Sequence, residues 1–92
     1  MKISAKFHGI LSDWTGVQTA DFDLPNSADM ADLMQEIARR FRSNMPDPLW
    51  DDDNGTFCPQ IVAFMDGKKL ASKNAPLGRG GEVTFYTMVA GG

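Results

Sequence analysis

The sequence predicts an α+β roll in which one sheet packs on one main helix. Three observations carry that prediction. Residues 1–7 and 17–24 alternate apolar and polar side chains with a period of two, which is the pattern of half-buried strands. Residues 30–41 place Met30, Leu33, Met34, Ile37, Ala38 and Phe41 at helical spacing, so one stripe of a 3.6-residue helix is apolar. The element order is strand, strand, helix, strand, short strand, strand, and a lone amphipathic helix needs one apolar sheet face to cover. At 92 residues the expected organisation is a single domain spanning 1–92, with one core and little else.

Each element follows from local chemistry. Met1, Ile3, Ala5 and Phe7 form the apolar face of the first strand. Gly9 to Gly16 breaks the alternation with Ser12, Asp13 and Thr15 and reads as a turn. The second strand resumes with Ala20, Phe22 and Leu24 facing one way, so the two strands make an antiparallel hairpin. Pro25-Asn26-Ser27 ends that strand, and Ser27 is the predicted helix N-cap, its hydroxyl accepting a free backbone N–H. Asp29 and Asp32 near the helix start, and Arg39, Arg40 and Arg42 near its end, complement the helix dipole. Glu36 is placed to pair with Arg40 four residues on. Ser43-Asn44 and Pro46 stop the helix.

Residues 44–59, with two prolines before a run of aspartates, read as a long loop. Within it Pro48-Leu49-Trp50 is assigned to capping the core edge, with partner contact as the alternative. Ile61 to Met65 is a short apolar run, as in a strand buried on both faces. Asp66-Gly67 is a tight-turn dipeptide and Lys69-Leu70 begins the return. Val83 to Val89 alternates again and makes the last strand.

Charge and composition exclude several function classes. Nine basic and 12 acidic residues leave a net charge of -3, which argues against nucleic acid or an anionic membrane as a partner. The charge is uneven: residues 46–59 carry Asp47, Asp51, Asp52 and Asp53 with no base, while residues 60–92 sum to +2. A single cysteine cannot make an internal disulfide. No apolar run approaches the roughly 20 residues of a membrane span. Met1 to Lys6 lacks the apolar stretch of a signal peptide, so a soluble cytoplasmic protein is expected.

Catalytic constellations are scarce. His8 is the only histidine and Cys58 the only cysteine, and nothing local pairs them. His8 reads as a strand-end or turn residue and Cys58 as a packed or surface thiol. Asp51-Asp52-Asp53-Asn54-Gly55 suggests part of a calcium loop, but setting Gly55 at the sixth position puts Trp50 and Ile61 where carboxylates are required. No metal site is expected. Gly78-Arg79-Gly80-Gly81 opens a strand and not a helix, so it reads as a turn and not as a phosphate cradle.

The remaining signal is Val89-Ala90-Gly91-Gly92. Glycine has no Cβ, so a Gly91-Gly92 tail leaving a rigid sheet can thread a channel that any side chain would block. The Gly92 carboxylate is then the candidate reactive group. It becomes an electrophile only after activation, such as adenylation by ATP.

These residues resemble the MoaD/ThiS family of ubiquitin-like sulfur carriers over nearly the whole chain. Phe7 to Gly16 is similar to the family segment ending in Thr-Gly, and Val62 to Gly67 stands where the family has a strand ending in Asn-Gly. Leu77 to Phe85 resembles Leu-x-x-Gly-Asp-Glu-Val, followed by the Gly91-Gly92 ending. The chain departs from the family at Ser12-Asp13, at Gly81, at Thr87-Met88 and in the aspartates and Trp50 of the 44–59 segment. The resemblance implies a β-grasp (ubiquitin-like) roll, a mixed sheet of four to five strands packed on one main helix, with the first and last strands parallel at its centre. It implies that an E1-like enzyme adenylates Gly92 and that sulfur transfer leaves a thiocarboxylate there. Gly91 would give clearance, and Val89 and Ala90 would position the tail. No cofactor would be bound permanently; the acyl-adenylate and thiocarboxylate are transient forms. The acceptor partner would be the molybdopterin synthase large subunit, or a thiazole synthase for the ThiS branch, and the ending looks more like the MoaD branch. The chain would be no enzyme alone but the small subunit of a sulfur-transferring synthase. A ubiquitin-like protein modifier and a non-covalent β-grasp interaction module are the alternatives.

Overall fold

The structure, a computed structural model, describes residues 1–70, 72–78 and 80–87. Its elements in chain order are β1 (Lys2–Phe7), α1 (Ile10–Thr15), β2 (Thr19–Asp23), α2 (Met30–Phe41), β3 (Trp50–Asp51), β4 (Thr56–Phe57), β5 (Ile61–Met65), β6 (Lys68–Lys69) and β7 (Gly81–Thr87). Among the described residues the main sheet has five strands in the order β2-β1-β7-β5-β6. β1 and β2 pair antiparallel, and β1 and β7 pair parallel with Phe7 opposite Phe85. The predicted hairpin, the mixed five-stranded sheet and the parallel first and last strands are all present. Residues 88 and 89, included in the predicted last strand, lie outside the described residues.

The period-two pattern decides which face is buried. Ile3, Ala5 and Phe7 of β1, and Val83 and Phe85 of β7, lie under α2, whose Met30, Leu33, Met34 and Ile37 are buried against them. At roughly 1.5–3 kcal/mol for each large side chain taken out of water, this stripe supplies the main attraction between the two layers. On the outer face Lys2, Ser4 and Lys6 stand opposite Asp23, Asp21 and Thr19. The Ser4 hydroxyl donates to Asp21 at 2.6 Å, and Lys2 lies 3.6 Å from the same carboxylate. The turn from β5 to β6 holds Asp66 and Gly67 at φ 53° and 78°, the left-handed pair that a two-residue hairpin requires.

Three sequence expectations are corrected. The segment between β1 and β2 is not a plain turn. Residues 10–15 close into α1 because Leu11 buries completely, and Gly16 takes the left-handed C-cap at φ 79°, donating its N–H to Ser12. The N-cap of α2 is Asp29 and not Ser27. Asp29 accepts the Asp32 N–H at 3.1 Å while Asp32 accepts the Asp29 N–H at 3.0 Å, a reciprocal capping box that satisfies two backbone donors at once. Ser27 lies outside it, exposed in the preceding turn. Glu36 pairs with Arg39 and not Arg40, through two hydrogen bonds of 2.9 Å. Arg40 instead lies 4.3 Å above the ring of Phe22, where the aromatic face attracts the cation.

The long loop is also more ordered than expected. A 3-10 turn at Asp47–Leu49 leads into β3, which pairs antiparallel with β4 so that Trp50 faces Phe57. Both aromatics are buried. Their rings meet edge-on at 5.3 Å, and Phe57 meets Phe85 at 5.4 Å. Phe85 stacks on Phe7 at 5.6 Å, which meets Phe41 edge-on at 5.8 Å. The small hairpin is thus tied by aromatic rings into the core and across to the end of α2. Capping of the core edge by Leu49 and Trp50 is what the structure shows.

Candidate functional site

The expected reactive residues Val89, Ala90, Gly91 and Gly92, and also Arg79, lie outside the described residues. What the structure describes is the place they leave from. β7 has β1 on one side and β5 on the other, so its last described residue, Thr87, is held in register opposite Ile61. Phe85 and Val83 anchor the strand from below, both nearly without exposure. Thr87, the last described residue before the Val89–Gly92 segment, is therefore held by a strand paired on both sides.

Two different surfaces flank Thr87. On the outer sheet face His8 stacks on Tyr86, rings 4.6 Å apart and almost parallel, and Phe64 meets Tyr86 edge-on at 5.9 Å. Tyr86 is 41% exposed. His8 is thus a strand-end residue, as predicted, and its backbone N–H donates to Phe85 at 3.2 Å. Lys68 and Lys69 occupy the edge strand β6, with Lys69 opposite Phe64.

On the other side an apolar groove of about 380 Å³ opens at Thr87. Trp14 of α1 forms one wall, and Pro46, Pro48 and Leu49 form another. Cys58, Gln60 and Ile61 complete it between the small hairpin and β5. The segments over 10–15 and 46–49, expected as a turn and part of a loop, thus meet beside Thr87. The groove wall is tied in place: Leu49 N–H donates to Pro46 at 3.0 Å and Cys58 N–H donates to Leu49 at 2.8 Å. Cys58 is half-buried in this wall.

The acidic segment beside the groove does have a base. Arg42, from the 3-10 turn after α2, lies 3.0 Å from Asp47 and 3.2 Å from Asp52. These bonds, Asp52 first, hold the guanidinium above its ordinary range. Asp51 folds back on its own turn, accepting from Asp53 N–H at 3.1 Å and from the Asn54 side chain at 2.7 Å. The Asn54 bond is the main cause that holds the Asp51 carboxyl below the usual carboxylate range. Among the described residues no group of three or more His, Cys, Asp or Glu side chains is arranged to hold a metal ion. No helix among them is long and apolar enough to cross a membrane.

No family model matches the chain, and no curated protein does. Solved structures do. Small archaeal modifier protein 1 of Haloferax volcanii is similar with a TM-score of 0.81 at 20% identity, covering 100% of both chains. A Pyrococcus furiosus protein described as molybdopterin converting factor, subunit 1, is similar with a TM-score of 0.72 at 22% identity, covering 97% of this chain and 99% of that one. Small archaeal modifier protein 1 of Methanosarcina acetivorans gives 0.74 at 14% identity, with 99% and 96% covered. Likeness at this identity speaks to architecture, and the architecture is the ubiquitin-like β-grasp.

Proposed function

We propose that the protein is a ubiquitin-like sulfur carrier whose Gly92 carboxylate is activated as an acyl-adenylate and converted to a thiocarboxylate. The observation that carries this reading is the position of Thr87. It is the last described residue of β7, the strand between β1 and β5, and stands five residues before Gly92 in the sequence. A carrier needs a rigid body that recognises partners and a slender reactive arm. The sheet supplies the first, and Val89-Ala90-Gly91-Gly92 supplies the second.

The chemistry balances without a catalytic group from this chain. A Gly92 carboxylate oxygen attacks the α-phosphorus of ATP, and pyrophosphate leaves. A hydrosulfide equivalent then attacks the carbonyl carbon, AMP leaves, and the thiocarboxylate remains. In the finer reading the carrier is the small subunit of a molybdopterin synthase and donates that sulfur to a pterin precursor. The fold shared with the Pyrococcus furiosus protein supports it.

A second reading keeps the adenylate and changes the nucleophile to a lysine amine, giving an isopeptide bond. The similarity to two proteins named as archaeal modifiers favours it. ATP–pyrophosphate exchange with the E1-like enzyme of the same genome tests what both readings share. Exchange is expected with the full chain and absent after deletion of Gly92. Equal exchange from the Gly92-deleted chain would overturn both, and ATP-dependent conjugates that survive denaturation would select the second.

A further inference from the structure

The position of Thr87 also constrains the protein that handles Gly92; this inference rests on the reading of Gly92 as the activated residue. Gly92 is the fifth residue after Thr87, a span of at most about 18 Å even fully extended. A pocket that holds the Gly92 carboxylate next to ATP is therefore within that distance of Thr87. Thr87 is itself part of the wall of the apolar groove. A protein that encloses so short an arm must also cover the surface at its root.

That surface is built in advance. Trp14, Pro48, Leu49 and Ile61 present an apolar concavity of about 380 Å³, room for a bulky apolar side chain. Two prolines and the hydrogen bonds of the 46–49 turn fix its wall, so little chain entropy is lost when it is filled. Its margin is acidic. Asp47 sits between Pro46 and Pro48, and Asp52 and Asp53 stand exposed on the adjoining hairpin. Arg42 offsets part of this charge, and the 46–59 segment with Arg42 still sums to -3. A fitting counter-surface carries an apolar knob in a basic surround, the knob contributing affinity and the basic charge the rate and register of docking.

We propose that this groove is the socket for an apolar side chain, set among basic residues, on the adenylating enzyme that activates Gly92. The test titrates the full chain with the E1-like enzyme of the same genome, by calorimetry without ATP, so that docking is read apart from chemistry. Gln60→Arg and Pro48→Arg, both at exposed positions on the groove, are each expected to weaken the Kd about tenfold or more, as loss of a central apolar contact does. Gln35→Arg, on the exposed side of α2, is expected to bind as the unmodified chain does. Groove variants that bind with unchanged Kd, or an unmodified chain that does not bind, would overturn the proposal. ATP–pyrophosphate exchange run on the same samples separates the two ideas. Binding that is lost in the groove variants, with no exchange from the unmodified chain, upholds the socket and removes the Gly92 reading.

Discussion

Phe57→Ala is the substitution that tests how the small hairpin is joined to the sheet. Phe57 is 5% exposed and stands between Trp50, at 5.3 Å, and Phe85, at 5.4 Å. Deleting a buried phenylalanine ring costs about 3–5 kcal/mol, the lost transfer energy plus the cavity left behind. Two edge-on ring pairs disappear as well, each worth about 0.5–1.5 kcal/mol beyond area, which places the effect toward the upper end. A chain of this size holds roughly 5–14 kcal/mol in total, so the variant is expected to fold but to be marginal. Its Tm should fall by about 15–30 °C. Urea unfolding followed by Trp fluorescence and by circular dichroism measures the loss, and both probes should report one transition. Phe57→Leu keeps the volume better and should lose no more than about half as much. A loss from Phe57→Ala below about 1 kcal/mol, the size of an ordinary surface change, would refute the argument. It would mean that β3 and β4 hang on the sheet without sharing its core.

Three further outcomes follow from local geometry. Asp29→Ala should cost about 0.5–2 kcal/mol by removing the cap of α2, whereas Ser27→Ala should stay within about 0.5 kcal/mol; equal losses in urea melts would contradict the assigned cap. Gly80→Ala places a Cβ 2.7 Å from the Lys2 carbonyl oxygen at φ +90° and should cost about 2–4 kcal/mol, while Gly78→Ala, at φ +62° with open space, should cost only about 1–2 kcal/mol. Stability should also fall in acid. Asp21 is lowered chiefly by the Ser4 hydroxyl, Glu36 by Arg39 and Asp51 by Asn54. A carboxyl lowered in the fold contributes stability above its unfolded pKa and loses it as pH falls through the folded one, so urea midpoints should be level near neutrality and drop below the usual carboxylate range. Asn54→Ala should move the Asp51 titration, followed by NMR, back upward.

The sheet and α2 were legible because their signals are periodic and long. A strand that buries one face must alternate, and twelve helical residues leave an unmistakable stripe. α1 was hidden by its length: the six residues between Gly9 and Gly16 hold three large apolar side chains, Ile10, Leu11 and Trp14, too few to establish a period, and serine, aspartate and threonine resemble turn chemistry. The cap of α2 was misplaced because a hydroxyl after proline competes with the Asp29-x-x-Asp32 pair, and reciprocity is seen only once the backbone turns. Two-residue strands such as β3 and β4 have no period at all. Their available signal was Trp50 and Phe57 flanking a polar turn. Arg42 could not be matched to Asp47 and Asp52 by counting charge segment by segment, since the partners meet across the end of α2. The candidate reactive arm rests on the Gly91-Gly92 signal in the sequence, whereas the groove beside Thr87 needed the meeting of four segments distant in sequence.

The central claim is that Gly92 carries sulfur, and intact-mass spectrometry tests it most directly. The full chain is incubated with ATP, the E1-like enzyme of the same genome and a sulfide donor, then measured without reduction. The account predicts a gain of about 16 Da, sulfur for oxygen at an activated carboxylate, localised to the peptide that contains Gly92. An unchanged mass under conditions where the enzyme adenylates the chain, or a gain on any other peptide, would contradict it.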